Sequence, residues 1–265
     1  MKFSIVISTQ PTTFSALAYQ GKLVENIARI KALGFDGIEL AIRDPAQIDV
    51  TSLMAILKEY RLPVPAIGTG QAYVEEHLSF VDPDEAVREK TVERIKAQAG
   101  LAELLDAIVI IGLVRGKSES ELDAVTAEHW LVSALQQCAS ANAGVKFAIE
   151  PINRYETNLV NTVRSGIELL EKVDRKNVGL LLDTFHMNIE EPSITESMKL
   201  AGDLLFHFHV ADSNRWYPGA GHIDFPSVFA TLEEIGYTGY VSAEILPFPE
   251  PDVAARKTIE YLRRF

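Results

Sequence analysis

The chain has 265 residues, of which 47% are hydrophobic and 23% are charged, and this is ordinary composition for a globular protein. Its formal net charge of −12 argues against nucleic acid or an anionic membrane as a partner. No stretch approaches the roughly 18 consecutive apolar residues that a membrane span requires.

The only cysteine, Cys138, excludes an intrachain disulfide. It falls in a segment with helical periodicity, which predicts a buried and unreactive thiol. A lone cysteine fits a reducing compartment, so we expect a cytoplasmic protein. The first ten residues, MKFSIVISTQ, predict a β-strand rather than a signal peptide.

Short apolar runs rich in β-branched residues recur along the chain and predict eight strands. In chain order these runs cover residues 3–9, 37–42, 63–70, 107–114, 145–151, 178–184, 204–212 and 239–246. Longer segments with helical periodicity lie between and after them, most clearly at 22–34, 84–105 and 258–265.

Strands that are almost entirely apolar indicate a parallel sheet covered by helices on its faces. Eight strand–helix units joined by right-handed crossovers most simply close into a barrel. We therefore predict an α/β fold, a single-domain (β/α)₈ TIM barrel over residues 1–265. A doubly wound open sheet is the alternative, but neither a G-x-G-x-x-G motif nor a P-loop follows the first strand.

Four polar residues stand at the carboxyl ends of the last four predicted strands: Glu150, Asp183, His209 and Glu244. Taken singly, such residues are often solvated loop glutamates, helix N-caps or core histidines. In a barrel, however, the strand ends converge on one mouth, where active sites form. We therefore expect these four side chains to meet.

Three carboxylates in one place repel each other unless a cation holds them. Three carboxylates with one imidazole form a mainly hard ligand set. The sequence therefore predicts one bound divalent metal ion, with Mn²⁺ first and Mg²⁺ or Co²⁺ as alternatives.

Four segments carry a resemblance to a known family: 148–162, 180–191, 208–225 and 240–249. Together they resemble the xylose-isomerase-like TIM-barrel superfamily, and within it the ketose 3-epimerases of the D-tagatose and D-psicose group. The block DTFHMNIEE is the most specific piece. The segments VISTQ, IGTGQAY, VIIGLVRG, PINRYETNLVNT and HVADSNRWYPG are further similar to a subgroup that acts on keto-uronates, the 5-keto-L-gluconate epimerases.

The resemblance implies specific roles for residues of this chain. Glu150, Asp183, His209 and Glu244 match metal ligands, and the two glutamates also match the acid/base pair. Substrate contacts around the carbonyl end are implied for three further residues, Glu156, His186 and Arg215. The implied reaction inverts the carbon next to a ketone through an enediolate, with 5-keto-L-gluconate and D-tagaturonate as the interconverted pair.

A uronate would need a cation at its far end, for which Arg43, Arg115 and Lys117 are candidates. Tyr73, Trp216 and His222 are candidates for lining or covering the substrate. Barrels of this group often associate, so a homodimer or homotetramer is also expected.

Four alternatives stay open from the sequence alone. They are a neutral ketohexose 3-epimerase, a hydroxypyruvate-type aldose–ketose isomerase, an endonuclease acting on abasic DNA, and a sugar-binding protein without catalysis. The net charge of −12 and the six histidines argue against the nuclease.

Overall fold

The computed structural model of the chain describes residues 1–118 and 124–265. Its strands are β1 (Lys2–Ser8), β2 (Tyr19–Gln20), β3 (Glu39–Ala41), β4 (Ala66–Gly68), β5 (Ile108–Ile111), β6 (Phe147–Ile149), β7 (Val178–Asp183), β8 (Leu205–Val210) and β9 (Tyr240–Ala243). Its helices are α1 (Leu23–Leu33), α2 (Val50–Tyr60), α3 (Gly70–Glu76), α4 (Glu85–Leu105), α5 (Ala124–Ala141), α6 (Val163–Val173), α7 (Thr184–Glu190), α8 (Ile194–Ala201), α9 (Phe225–Glu234) and α10 (Pro251–Leu262).

Eight parallel strands close into a barrel, because β9 pairs with β1 as well as with β8. The sheet runs in the order β1, β3, β4, β5, β6, β7, β8, β9. The two-residue β2 pairs with the carboxyl end of β1. Every predicted strand is confirmed, and helices follow each barrel strand. The predicted single-domain architecture of a (β/α)₈ barrel is therefore the observed one.

Local sequence explains why the helices begin where they do. Asp49, Asp84, Thr162, Ser193 and Asp224 each accept a hydrogen bond from a backbone N–H in the first turn of the helix that follows. These bonds satisfy amide groups that have no partner within the helix.

The main core lies between the barrel and its surrounding helices, and a smaller one lies inside the barrel. The inner cluster consists of Ala66, Ile110, Ala148 and Leu181. Because side chains alternate across a strand, residues two positions further along β6 and β7 also face inward. Glu150 and Asp183 therefore stand one layer above the apolar plug, at the carboxyl mouth.

Two further expectations can be compared with the structure. Cys138 is fully buried in α5, and burial raises the pKa of its thiol to about 12, so the predicted buried thiol is confirmed. Within the described ranges, no helix has the length and apolar character that crossing a membrane requires.

Candidate metal centre at the barrel mouth

The four residues predicted from the strand ends do meet, and we call these four side chains the metal group. One ligand atom from each of Glu150, Asp183, His209 and Glu244 can be chosen so that all lie within 4.8 Å of one another. Glu150, Asp183 and His209 are buried, and Glu244 is partly exposed at the mouth. The expectation that the barrel brings these side chains together is thus confirmed in geometry.

Among the residues that the structure describes, three buried polar atoms of this group have no hydrogen-bond partner: Glu150 Oε1, Asp183 Oδ2 and His209 Nδ1. A buried acceptor left without a partner costs about 1–3 kcal/mol. All three are atoms that a cation can bind, and oxygen with one imidazole nitrogen suits a hard divalent ion. The residues present therefore fit a metal ion.

Asp183 does two things with its two oxygens. Oδ1 accepts a hydrogen bond of 2.8 Å from the backbone N–H of Phe185 and so caps α7. Oδ2 is the atom without a partner. The N-cap interpretation and the metal-ligand interpretation of this aspartate are therefore compatible, because each uses a different oxygen.

The pKa values show how poorly the carboxylates tolerate each other. Burial, reinforced by the charge of Glu244, raises the pKa of Glu150 well above its usual range. Burial also raises the pKa of Asp183 to about 6, against the opposing charges of His209 and Arg215. Without a cation in their midst, these groups retain protons at a pH where ordinary carboxyls are ionised.

His209 shows the opposite response. Burial alone would lower its pKa, but the charge of Glu39 and the hydrogen bond to it raise the pKa to about 10, with help from Glu244 and Glu150. The imidazole therefore lies among negative groups on two sides.

Arg215 connects two of the acidic residues at the mouth. Its Nη2 donates to Glu244 Oε2 at 2.6 Å, and its Nη1 donates to Glu156 Oε1 at 3.1 Å. The guanidinium also lies over the ring of Phe185, 4.8 Å from its centroid. The fork therefore holds both glutamates in fixed positions.

His186 presents a donor toward the metal group. The Asn153 side chain accepts from the backbone N–H of Tyr155 through Oδ1, so its Nδ2 is the donor, and this Nδ2 lies 2.8 Å from His186 Nδ1. Burial, followed by the charges of Arg215 and another arginine, holds the pKa of His186 well below its usual value. The ring is therefore neutral with its proton on Nε2, which lies 3.6 Å from Glu150 Oε1.

The loop that carries Arg215 is organised by a buried carboxylate. Asp212 accepts hydrogen bonds from the backbone N–H groups of Ser213, Gly219 and Ile223, at 2.8, 2.8 and 3.2 Å. Arg215 itself has a φ of 60°, in the left-handed region, which only a well-anchored loop maintains. The loop after β8 is thus a built part of the mouth.

A cavity leads from this loop down to the metal group. Its lining includes Glu150, Glu156, His186, His209, Arg215 and Glu244, together with Phe14, Gly68, Thr69, Gln71, Gly112 and Leu113. In the described residues, Arg215 is the sole arginine or lysine of this lining. Arg43, Arg115 and Lys117 do not line it, and neither do Tyr73, Trp216 and His222.

Arg115 is fully buried behind the site instead. Its Nη1 donates to the backbone carbonyl of Glu150, while its Nε and Nη2 have no hydrogen-bond partner within residues 1–118 and 124–265. Burial lowers its pKa to about 10, and the charges of Glu150 and Glu156 oppose that shift. Arg115 supports the chain at Glu150 rather than the far end of a substrate.

Sequence reasoning missed two residues of this site, Glu39 and Asn153. Glu39 accepts hydrogen bonds from His207 and His209, and a signal for it exists, since an acid inside the apolar run GIELAI must be buried with a partner. Asn153 follows Pro151 in a loop, and no residue pattern distinguishes it from other loop asparagines.

The chain is similar to known proteins over most of its length. The profile of the family described as xylose isomerase-like TIM barrel matches residues 27–265. An L-ribulose 3-epimerase of Methylomonas sp. (strain DH-1) is 38% identical over 228 residues, which cover 82% of this chain and 76% of that protein. A 3-dehydro-D-guloside 4-epimerase of Escherichia coli (strain K12) is 29% identical over 269 residues, with 97% of this chain and 98% of that protein covered.

Among solved structures, that of D-allulose 3-epimerase from Methylomonas sp. in complex with D-allulose superposes with a TM-score of 0.83. The two chains are 29% identical, and the superposition covers 99% of this chain and 97% of the other.

Proposed function

The chain belongs to the xylose isomerase-like TIM barrel family, and from that premise we propose that it is a sugar epimerase that inverts the carbon next to a ketone. The observation that carries this proposal is a pair of glutamates, Glu150 and Glu244. They directly follow β6 and β9, and both belong to the metal group. Its relatives are sugar epimerases, and these are isomerases.

Inversion needs two acid/base groups. The C–H bond next to a ketone is weakly acidic, and a single base on one face could only return the proton to the face from which it came. We assign the two roles to Glu150 and Glu244. One glutamate starts as the carboxylate and takes the proton from carbon. The other starts protonated and gives its proton to the opposite face of the enediolate.

The neighbouring residues hold this pair and the substrate. Arg215 restrains Glu244 and Glu156 through its fork, so that the Glu244 carboxylate stays at the mouth. His186, neutral and protonated on Nε2, donates toward the oxygens of the substrate.

Glu150, Asp183, His209 and Glu244 would hold the metal, and we propose Mn²⁺, with Mg²⁺ or Co²⁺ as alternatives, because the donor set is mainly hard. When bound, a divalent ion supplies a positive charge that polarises the substrate carbonyl and stabilises the negative charge that develops beside it.

For the substrate we propose a keto-uronate, with 5-keto-L-gluconate and D-tagaturonate as the interconverted pair. What supports this choice is where the subgroup resemblance falls. The segment 67–73 contributes Gly68, Thr69 and Gln71 to the cavity lining, and the segment 109–116 contributes Gly112 and Leu113. The cavity wall thus includes residues of two segments that resemble the keto-uronate subgroup.

A neutral ketose is the second candidate, and one observation favours it. None of the three cations considered for a uronate carboxylate, Arg43, Arg115 and Lys117, lines the cavity in the described structure. Relatives named as L-ribulose and D-psicose 3-epimerases point in the same direction.

A substrate panel tests the choice. Metal-stripped enzyme is reconstituted with Mn²⁺ and offered 5-keto-L-gluconate, D-tagatose, D-psicose and L-ribulose, with product stereochemistry read by NMR. We expect the highest kcat/KM for the keto-uronate. A higher value for any neutral ketose would overturn the substrate assignment, and a proton transfer between adjacent carbons without inversion would overturn the epimerase.

A further inference from the structure

Three buried side chains form a hydrogen-bonded cluster beside the metal group: Glu39 of β3 with His207 and His209 of β8. We call them the Glu39 cluster. His209 belongs to both groups. Glu39 is 1% exposed. Its Oε2 lies 2.8 Å from His207 Nε2 and 3.0 Å from His209 Nε2, and its Oε1 lies 3.0 Å from His209 Nε2 as well. The mechanism above makes no use of Glu39.

The cluster decides which nitrogen of His209 carries a proton. An ionised carboxylate can only accept hydrogen bonds, so the nitrogen that contacts Glu39 must donate. Nε2 of His209 therefore holds the proton, and the lone pair available to a ligand is on Nδ1. This Nδ1 has no hydrogen-bond partner in the described part of the chain, and it lies 4.0 Å from Glu150 Oε1.

The same contacts fix the orientation of the ring. Both carboxylate oxygens of Glu39 lie at the same distance from His209 Nε2, which resists rotation of the imidazole about its long axis. His207 occupies the remaining direction at Oε2, and its ring meets that of His209 edge to face at 5.2 Å between centroids. Glu39 thus has three constraints on its position, all of them buried.

We infer that Glu39 is a positioning residue that acts through His209, by holding Nδ1 toward Glu150 and Asp183 as the nitrogen ligand of a hard divalent cation such as Mn²⁺. The inference rests on the metal site of the proposed function. A carboxylate behind a metal-binding histidine fixes its tautomer and strengthens it as a ligand, and loss of such a partner lowers metal affinity by about 10- to 100-fold.

Mn²⁺ binding to three proteins tests the inference: the wild type, Glu39→Gln and His207→Gln, each stripped of metal and checked for native circular dichroism. Glu39→Gln keeps the volume of the side chain but removes the charged acceptor, and we expect its Kd for Mn²⁺ to rise about 10- to 100-fold. His207→Gln is the matched control, since it removes a histidine from the cluster and leaves the Glu39–His209 contact in place, so its Kd should change by less than about threefold.

Three results would overturn the inference. One is an unchanged Kd in Glu39→Gln, and another is an equal loss in both variants, which would indicate general damage to the packing. The third is a second equivalent of Mn²⁺ in the wild type that both variants lose, which would make the Glu39 cluster a metal site of its own.

A measurement on the wild type keeps the inference testable if Glu39→Gln does not fold. Long-range ¹H–¹⁵N NMR of the Mg²⁺-loaded protein reports which imidazole nitrogen is protonated. We expect a proton on Nε2 of His209, and a proton on Nδ1 would overturn the inference. A wild type that binds no divalent ion would refute the metal site of the proposed function. Metal binding with the same Kd in the wild type and in Glu39→Gln would refute the positioning role alone.

Discussion

Removal of the metal should destabilise the protein more at neutral pH than at mildly acidic pH. In the metal-free protein, burial raises the pKa of Asp183 from 3.8 to about 6, and it raises the pKa of Glu150 in the same direction. An acid with a raised pKa stabilises the fold fully below its unfolded pKa, and this stabilisation is lost as the pH rises through its folded pKa. The loss from Asp183 therefore falls between about pH 4 and pH 6.

His209 extends the decline to higher pH. Its pKa is raised from 6.5 to about 10, so its stabilising charge is complete below pH 6.5 and is lost as the pH rises toward 10. Acids with lowered pKa values, such as Glu39, work in the opposite direction, but their contribution is complete above the unfolded value of 4.5. The decline above pH 5 is therefore not masked by them.

The structure sets the size of the effect. The pKa of Asp183 differs by about 2.2 units between its folded value of about 6 and its unfolded value of 3.8, which corresponds to about 3 kcal/mol in the free energy of unfolding. About 1.4 kcal/mol of this, the part between about pH 5 and pH 6, is lost above pH 5. Glu150 adds to the same loss. A metal present at about 100 times its Kd contributes about 2.7 kcal/mol, so saturating Mn²⁺ should restore most of the stability at neutral pH.

Urea unfolding followed by circular dichroism measures this effect, at pH 5 and pH 7.5, with chelator or with Mn²⁺. We expect a marked loss between the two pH values in the metal-free wild type and a smaller loss in metal-free Asp183→Asn. Asp224→Asn is the control, because Asp224 is an exposed helix cap with a lowered pKa and should leave the slope unchanged. A metal-free wild type equally stable at both pH values, or an Asp183→Asn variant with the full slope, would refute the reasoning.

Two further substitutions have matched controls. Arg215→Lys removes the fork onto Glu244 and Glu156 and should lower kcat/KM on the order of 10- to 100-fold, the equivalent of one charged hydrogen bond. Arg154→Lys alters a similar fork onto Glu190, but Arg154 is 62% exposed, so activity should stay within about twofold, and equal losses in both variants would contradict the assignment. Gly112→Ala places a Cβ 2.9 Å from Glu150 Oε2 and should lower both kcat and the affinity for Mn²⁺. Gly100→Ala is the control, because its added Cβ has nothing within 4 Å among the described residues. It should leave kcat unchanged and raise the free energy of unfolding by up to about 1 kcal/mol. A normal kcat in Gly112→Ala would contradict the prediction, since it would show that Glu150 tolerates displacement.

Much of the fold could be predicted because barrel strands are buried on both faces and so appear as apolar runs in the sequence. Two of the described elements that were not predicted are β2 and α3. The strand β2 has two residues, Tyr19–Gln20, too few for any periodicity. The helix α3 has seven, Gly70–Glu76, and it begins at the glycine of a cavity-lining turn, where composition indicates a loop.

The metal group was accessible from sequence because each of its members lies at the carboxyl end of an apolar strand or directly after it, and the barrel makes those ends converge. Contacts that depend on tertiary packing were not. Arg115 sits in the segment VIIGLVRG, and only the packing shows that its guanidinium turns inward to the carbonyl of Glu150 rather than toward a substrate. The tautomers of His186 and His209 likewise depend on Asn153 and Glu39, which come from other parts of the chain.

The central claim is that Glu150 and Glu244 pass the proton on opposite faces of one carbon. It is tested most directly by epimerisation in deuterium oxide, followed by ¹H NMR, for the wild type, Glu150→Gln and Glu244→Gln at saturating Mn²⁺. We predict solvent deuterium at the inverted carbon in the wild type, and a loss of inversion by about 10²- to 10⁴-fold in each variant, with native circular dichroism retained. Inversion without deuterium in the wild type, or a variant that keeps most of its turnover, would contradict the account.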